Sequence, residues 1–186
     1  MADFWQGVEF SHLIIKEYIT KGDVVVDATA GNGHDTVFLA DLVGRNGKVF
    51  AFDIQKKAID NTGYRLEKKN LLERVKLIND GHQNLHKYLT DEVNGVLFNL
   101  GYLPGGNKEI TTGRSTTLTA LEKGTALLTS GGIIVLVVYT GHPGGMDELE
   151  GILSLVKKLD QHEYNVLRYN FINQESSPEV IAVIRR

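Results

Sequence analysis

No cysteine occurs among the 186 residues, which excludes disulfides and Cys-ligated zinc. No apolar run is long enough to cross a bilayer. The longest, Ile133 to Val138, falls far short of the roughly 20 residues a spanning helix needs. No flanked N-terminal apolar run has the form of a signal peptide, so a cytoplasmic location with no membrane contact is expected. Repeats, low-complexity segments and linkers are also missing. The length fits one domain, residues 1–186, with 1–22 as an N-terminal helical segment packed on the core. Nor is there an excess of positive charge. A net charge of -3 argues against a strongly basic nucleic-acid binder. Lys56-Lys57, Arg65, Lys68-Lys69 and Arg185-Arg186 could still form a local basic face, or simply be solvated helix faces and a charged tail.

What is present is an alternation of apolar β-branched runs with helical patterns. Val8, Phe10, Leu13, Ile14 and Tyr18 recur at helical spacing, so a helix is expected over 8–19. Strands are expected at 24–28, 49–53, 75–79, 95–100 and 133–139. Helices are expected at 35–43, 56–70, 85–89, 115–128 and 146–159, with Ser130-Gly131-Gly132 stopping the fourth of these. Continuous apolar strands separated by helices predict a parallel sheet covered on both faces. The last two runs, 165–171 and 179–184, have only a short polar connection, which permits an antiparallel pair and not a parallel crossover. This order is that of a class I S-adenosylmethionine-dependent methyltransferase fold. It is α/β and Rossmann-like, with a mostly parallel seven-stranded sheet and a C-terminal antiparallel hairpin.

The most informative stretch is Val24 to Thr36. A buried strand ends in Asp27, a small-residue loop follows, and a helix begins near Asp35. Gly31 and Gly33 permit a tight turn and close approach of a ligand, and the helix N-terminus offers unpaired N–H groups. Strand two also ends in an acid, Asp53, placed to accept from ribose hydroxyls or to cap the next helix. Gly31-Asn32-Gly33 followed by Thr36 only half-matches a dinucleotide fingerprint, since Thr36 stands where the third glycine belongs. Asp27 and Asp35 would repel a pyrophosphate. S-adenosyl-L-methionine has no phosphate and carries an ammonium and a sulfonium, so these acids favour it over NAD. In that reading Asp27 holds the methionine ammonium, and Asp80 with His82 flanks the adenine. A helix-capping Asp and a surface His are the plainer alternatives for that pair.

Strand four ends in Asn99-Leu100-Gly101-Tyr102. It looks like the [Asp/Asn/Ser]-Pro-Pro-aromatic motif of amino-group methyltransferases, with Leu100 and Gly101 in place of the prolines. An amine must present its lone pair in line with the methyl, and an amide oxygen at Asn99 can accept its N–H bonds and aim it. Tyr102 offers an aromatic face for a base or a cation. After strand five, Tyr139 to Gly145 form a second glycine-rich loop, in which His142 could orient the target or take a proton.

Together, Asp-Ala-Thr-Ala-Gly-Asn-Gly-His-Asp-Thr at 27–36, Asn-Leu-Gly-Tyr-Leu-Pro-Gly-Gly at 99–106 and Tyr-Thr-Gly-His-Pro-Gly-Gly at 139–145 resemble the YtqB-like family of rRNA methylases over nearly the whole chain. Members of that family are similar to an enzyme that methylates the 5-aminomethyl group of 5-aminomethyl-2-thiouridine at tRNA wobble position 34. The resemblance implies S-adenosyl-L-methionine as cofactor, a tRNA anticodon stem-loop as partner, no metal, and a homodimer. The candidate cofactor-binding residues are Asp27, Ala30, Gly31, Asn32, Gly33, Asp35, Thr36, Asp53, Gln55, Asp80, His82 and Asn99. Tyr102, Leu103, Pro104, Gly105, Tyr139 and His142 are the candidate substrate-binding residues, with Asn99, Tyr102 and His142 catalytic. An rRNA or small-molecule amine remains an alternative acceptor, and a non-catalytic RNA- or cofactor-binding module an alternative role.

Overall fold

The computed structural model describes residues 6–105, 110–174 and 177–186. Helix α1 (Gly7–Lys16) precedes β1 (Val24–Asp27), α2 (His34–Val43), β2 (Lys48–Phe52), α3 (Lys56–Lys68) and β3 (Val75–Ile78). A 3-10 helix (His82–Lys87) leads to β4 (Val93–Leu100), α4 (Arg114–Leu127), β5 (Leu128–Val138) and α5 (Gly145–Val156). The chain ends in β6 (Tyr164–Tyr169) and β7 (Glu179–Arg185). The sheet order is β3-β2-β1-β4-β5-β7-β6. The pairs up to β5 are parallel, while β7 runs antiparallel to both β5 and β6. The expected terminal hairpin is therefore present, with β7 inserted between β5 and β6.

Successive residues of a strand face opposite sides of a sheet, so a strand apolar at every position builds two cores. Ile134, Leu136 and Val138 of β5 pack in one cluster with Leu121 of α4 and Leu149 and Ile152 of α5. Ile133, Val135 and Val137 join the opposite cluster with Ile15 of α1, Leu39 of α2 and Leu66 of α3. Both faces are thus sealed, and ligand access is left to the strand ends.

Several boundaries shift by a few residues, the short helix expected at 85–89 being a 3-10 helix over His82–Lys87, and two of the shifts show their physical cause. Helix α1 stops at Lys16, and the following residues turn instead, with the Thr20 amide donating to Asp23 Oδ2 (2.7 Å). Ser130-Gly131-Gly132 do not separate α4 from β5, since α4 runs straight into the strand at Leu128. Val93 pairs with Leu128 and Gly95 with Ile133, so β5 carries an irregular insertion here, with Gly131 at φ 78°. A left-handed residue in a bulge wants glycine for the same reason a helix stop does, so sequence alone reads either.

Candidate active site

A cavity of about 600 Å³ opens at the C-terminal ends of β1, β2, β4 and β5. Its floor is the glycine loop after β1. Gly31 and Gly33 are left-handed, at φ 53° and 80°. A Cβ on Gly33 would meet Thr62 Cα at 2.9 Å, so α3 packs directly on this turn. From α3, Thr62 Oγ1 donates to the Gly31 carbonyl (3.1 Å) and Arg65 Nε to the Asn32 carbonyl (2.8 Å). Asp53 ties β2 to the same loop: Oδ2 accepts from the Gly31 amide (2.9 Å) and Oδ1 from the Gln55 amide (2.8 Å). Ala30, Gly31, Asn32, Asp53 and Gln55 all line the cavity.

Asp27 does not line it. Its side chain is fully buried beneath the loop, accepting from Thr36 Oγ1 (2.5 Å) and the Thr29 amide (3.1 Å). Burial, then the nearby Asp35 charge, pushes its carboxyl up to about 7. Asp27 and Thr36 form an internal strut joining the loop to α2, and Gly33 lies with them outside the wall. Asp80 is also absent from the wall. It closes the turn into the 3-10 helix, accepting from the Gly81 amide (2.7 Å), Asn84 Nδ2 (2.9 Å) and the Tyr88 hydroxyl (2.9 Å). The Asn84 hydrogen bond leads the interactions that hold its carboxyl below the usual value.

His82 lines the cavity as expected. Its Nδ1 lies 3.0 Å from the Ala28 carbonyl, which can only accept, so Nδ1 carries the hydrogen and Nε2 keeps a lone pair. Burial lowers its pKa and favours this neutral ring. Among the described residues Nε2 has no partner, and a buried acceptor without one calls for a donor from a ligand.

Strand β4 delivers Asn99 to the opposite wall, with its amide donating to Thr29 Oγ1 (2.7 Å). Its side-chain Nδ2 donates to Asp35 Oδ2 (3.0 Å), and Asp35 Oδ1 lies 2.7 Å from His12 Nε2. Asp35 as a carboxylate can only accept, so the Asn99 amide cannot flip, and Oδ1 is left as the acceptor facing away from it. Gly101 follows at φ 143° and is pinned twice to Thr112: its amide donates to Thr112 Oγ1 (2.9 Å), and its carbonyl accepts from the Thr112 amide (2.8 Å). Thr112 Oγ1 in turn donates to Glu148 Oε2 (3.0 Å), while Thr117 Oγ1 donates to Oε1 (2.5 Å). Glu148 is fully buried in the first turn of α5, and burial raises its pKa. The turn after Asn99 is therefore anchored from below.

Tyr102 (43 % exposed) and Tyr139 (37 % exposed) stand on the cavity wall as accessible aromatic surfaces, beside the buried Leu103 and the exposed Pro104. Gly105 is exposed and lies off the wall, and Gly106 of the same motif is outside the described residues. Asn32 Nδ2 donates to the Pro104 carbonyl (3.2 Å), linking the two loops across the cavity. His142 lines the wall, with Nδ1 donating to the Pro143 carbonyl (3.0 Å), and Nε2 is enclosed without a partner among the described residues. Sequence reasoning missed His12, Thr112 and Glu148. His12 sits 23 residues before Asp35 in a helix with no motif. Glu148 lies in the acidic run Asp147-Glu148-Leu149-Glu150, which reads as a solvated face.

The strand order, the reversed seventh strand and this glycine loop define a class I S-adenosylmethionine-dependent methyltransferase. Residues 49–185 match the family model described as "Putative rRNA methylase". The chain belongs to that family. It is 39 % identical over 191 residues to the chloroplastic tRNA (mnm5s2U34)-methyltransferase of Arabidopsis thaliana, spanning 97 % of this chain and 70 % of that one. It is 48 % identical to a Clostridium thermocellum protein described as a "putative rRNA-methylase", with a TM-score of 0.96 over 99 % of this chain and 100 % of that one. A Streptococcus mutans protein described as a "putative methyltransferase", solved in complex with SAH (S-adenosylhomocysteine), is 38 % identical with a TM-score of 0.89 over 99 % of this chain and 100 % of that one.

Proposed function

We propose that the chain N-methylates the 5-aminomethyl group of 5-aminomethyl-2-thiouridine at wobble position 34 of tRNA, giving 5-methylaminomethyl-2-thiouridine. The observation that carries the amine acceptor is the locked amide of Asn99. With Nδ2 held by Asp35, Oδ1 is fixed as an acceptor at the cavity, suited to an N–H donor. The Arabidopsis relative supports tRNA as the molecule that bears the amine.

The residues present fit S-adenosyl-L-methionine. The cavity volume lies in the range of small-molecule sites. Its wall carries Asp35 and Asp53, which suit a ligand with cationic groups and no phosphate, and His82 Nε2, without a partner among the described residues, is an acceptor suited to an amino group. When bound, the cofactor supplies an electrophilic methyl on a sulfonium. Asp53 accepts from hydroxyls while holding the glycine loop, and Asn99 orients the amine. Tyr102 and Tyr139 offer stacking surfaces for an unstacked base, the usual mode for reading a single-stranded RNA loop.

Purified protein with radiolabelled cofactor and separated RNA fractions tests the reading. Label is expected in tRNA carrying the 5-aminomethyl precursor. Label confined to rRNA, or to no RNA, would overturn it.

A further inference from the structure

Helix α3 sets its charged side chains on separate stripes. Asn61, Tyr64, Arg65 and Lys68 recur at the i, i+3, i+4, i+7 spacing that shares one helix face, whereas Asp60 and Glu67 fall on another. Asp60 is paired with Lys56. With Lys69 and Asn32, the first stripe lines a groove of about 360 Å³ that holds three cations and no acid. The whole chain carries a net charge of -3, so this concentration of positive charge is local. Among the described residues, none of the three cations pairs with a carboxylate. Lys68 Nζ lies instead 4.3 Å from the centroid of the Tyr64 ring, which is 61 % exposed. A cation covers one face of a ring, which leaves the other for a flat partner. The groove joins the cavity at Asn32, which lines both. Asn32 Oδ1 accepts from Asn61 Nδ2 (3.1 Å), its carbonyl accepts from Arg65 Nε (2.8 Å), and its Nδ2 donates to the Pro104 carbonyl (3.2 Å). One side chain therefore ties the α3 groove to the Tyr102–Pro104 wall of the cavity.

We infer that this groove holds the RNA backbone next to the target nucleotide, an inference that rests on the tRNA reading above. Cations with no carboxylate to give up suit phosphodiesters, since binding releases only counterions. An exposed aromatic ring among them suits an unstacked base, and the combination is that of a surface for a single-stranded segment such as an anticodon loop. Lys68 and Lys69 bind phosphate oxygens, and Tyr64 stacks on a flanking base. Arg65 braces Asn32 through Nε, and its other N–H groups are left for the same anion. The target nucleotide enters the cavity past Asn32 and Pro104 while the neighbouring backbone follows α3.

The test uses the full chain and precursor-bearing tRNA, with binding read by fluorescence anisotropy across a salt series. The double variant Lys68→Gln, Lys69→Gln is expected to weaken tRNA binding about tenfold at low salt and to lower the slope of log Kd against log salt by about 1.5 to 2. Tyr64→Ala is expected to weaken binding about tenfold with the slope unchanged, and Tyr64→Phe to keep native affinity. Lys157→Gln, Lys158→Gln makes the same charge change on exposed residues at the opposite end of α5 from His142 and should leave tRNA affinity native. Unchanged S-adenosylhomocysteine affinity by calorimetry shows that each variant is folded. Native tRNA affinity in either the Lys68, Lys69 variant or Tyr64→Ala would overturn the groove as the RNA surface. An equal loss in the Lys157, Lys158 variant would overturn it too, because net charge alone would then suffice. A native protein that binds this tRNA but transfers no methyl to it would instead overturn the function proposed above.

Discussion

Asp27 is a carboxylate placed where charge is disfavoured, and its environment has a consequence for stability. The folded state holds its proton up to about pH 7, whereas the free side chain releases it near 3.8. The folded protein therefore binds the proton more tightly. The stability this confers is complete below about pH 3.8 and is lost as pH rises through about 7. Asp27→Asn removes the titration while keeping a polar strut to Thr29 and Thr36. Urea unfolding at pH 5 and pH 8 should show native stability declining relative to the variant by roughly 2.5 kcal/mol between the two. Asn99 carries the opposite kind of expectation. Asn99→Ala should fold and bind S-adenosylhomocysteine, yet lose about 10²-fold in the methyl-transfer rate measured by single turnover, because the oriented acceptor is gone. At this scale the sequence showed residue type and strand-end position but not direction. Asp27 and Asp53 look alike in sequence, each closing an apolar run. Asp53 lies one residue beyond its strand and lines the cavity, whereas Asp27 is the last residue of β1 and turns under the loop.

The turn from β1 to α2 is the element on which the site depends, and its tolerance is set by backbone geometry. Gly33 combines φ 80° with a Cβ direction that runs into Thr62 of α3 at 2.9 Å. Gly33→Ala therefore meets both left-handed strain and a backbone clash. A stability loss of at least about 1–2 kcal/mol is expected from the strain alone, together with weaker S-adenosylhomocysteine binding, read by denaturant titration and calorimetry. Gly105, at φ 76° with open space where a Cβ would sit, should show only the strain. The strands were legible because their apolar runs serve two cores, as the split of Ile133 to Val138 between the two clusters shows. The insertion at Gly131 was not, since local glycine chemistry cannot tell a bulge from a helix stop. The anchoring of the Gly101 turn through Thr112 to Glu148 was also hidden, because it joins three segments distant in sequence.

Across the whole molecule, the sheet order brings the ends of β1, β2, β4 and β5 to one edge, and the three loops recognised in the sequence meet there. That convergence was readable because element order and connection length leave few topologies for an α/β chain with a terminal hairpin. His12 was not, since its helix packs on β5 and β7 and meets Asp35 and Phe38 of α2 only through tertiary structure. Ligand linkage offers a check on the assembled cavity. S-adenosylhomocysteine at a hundred times its Kd should stabilise the fold by about 2.7 kcal/mol, raising Tm by roughly 5–10 °C. NAD at the same concentration should leave Tm unchanged, because Asp35 and Asp53 oppose a pyrophosphate. The substrate is tested most directly in the cell. Mass spectrometry of tRNA nucleosides from a strain lacking this gene should show 5-methylaminomethyl-2-thiouridine lost and 5-aminomethyl-2-thiouridine accumulated. Unchanged 5-methylaminomethyl-2-thiouridine, with no build-up of the precursor, would contradict the account.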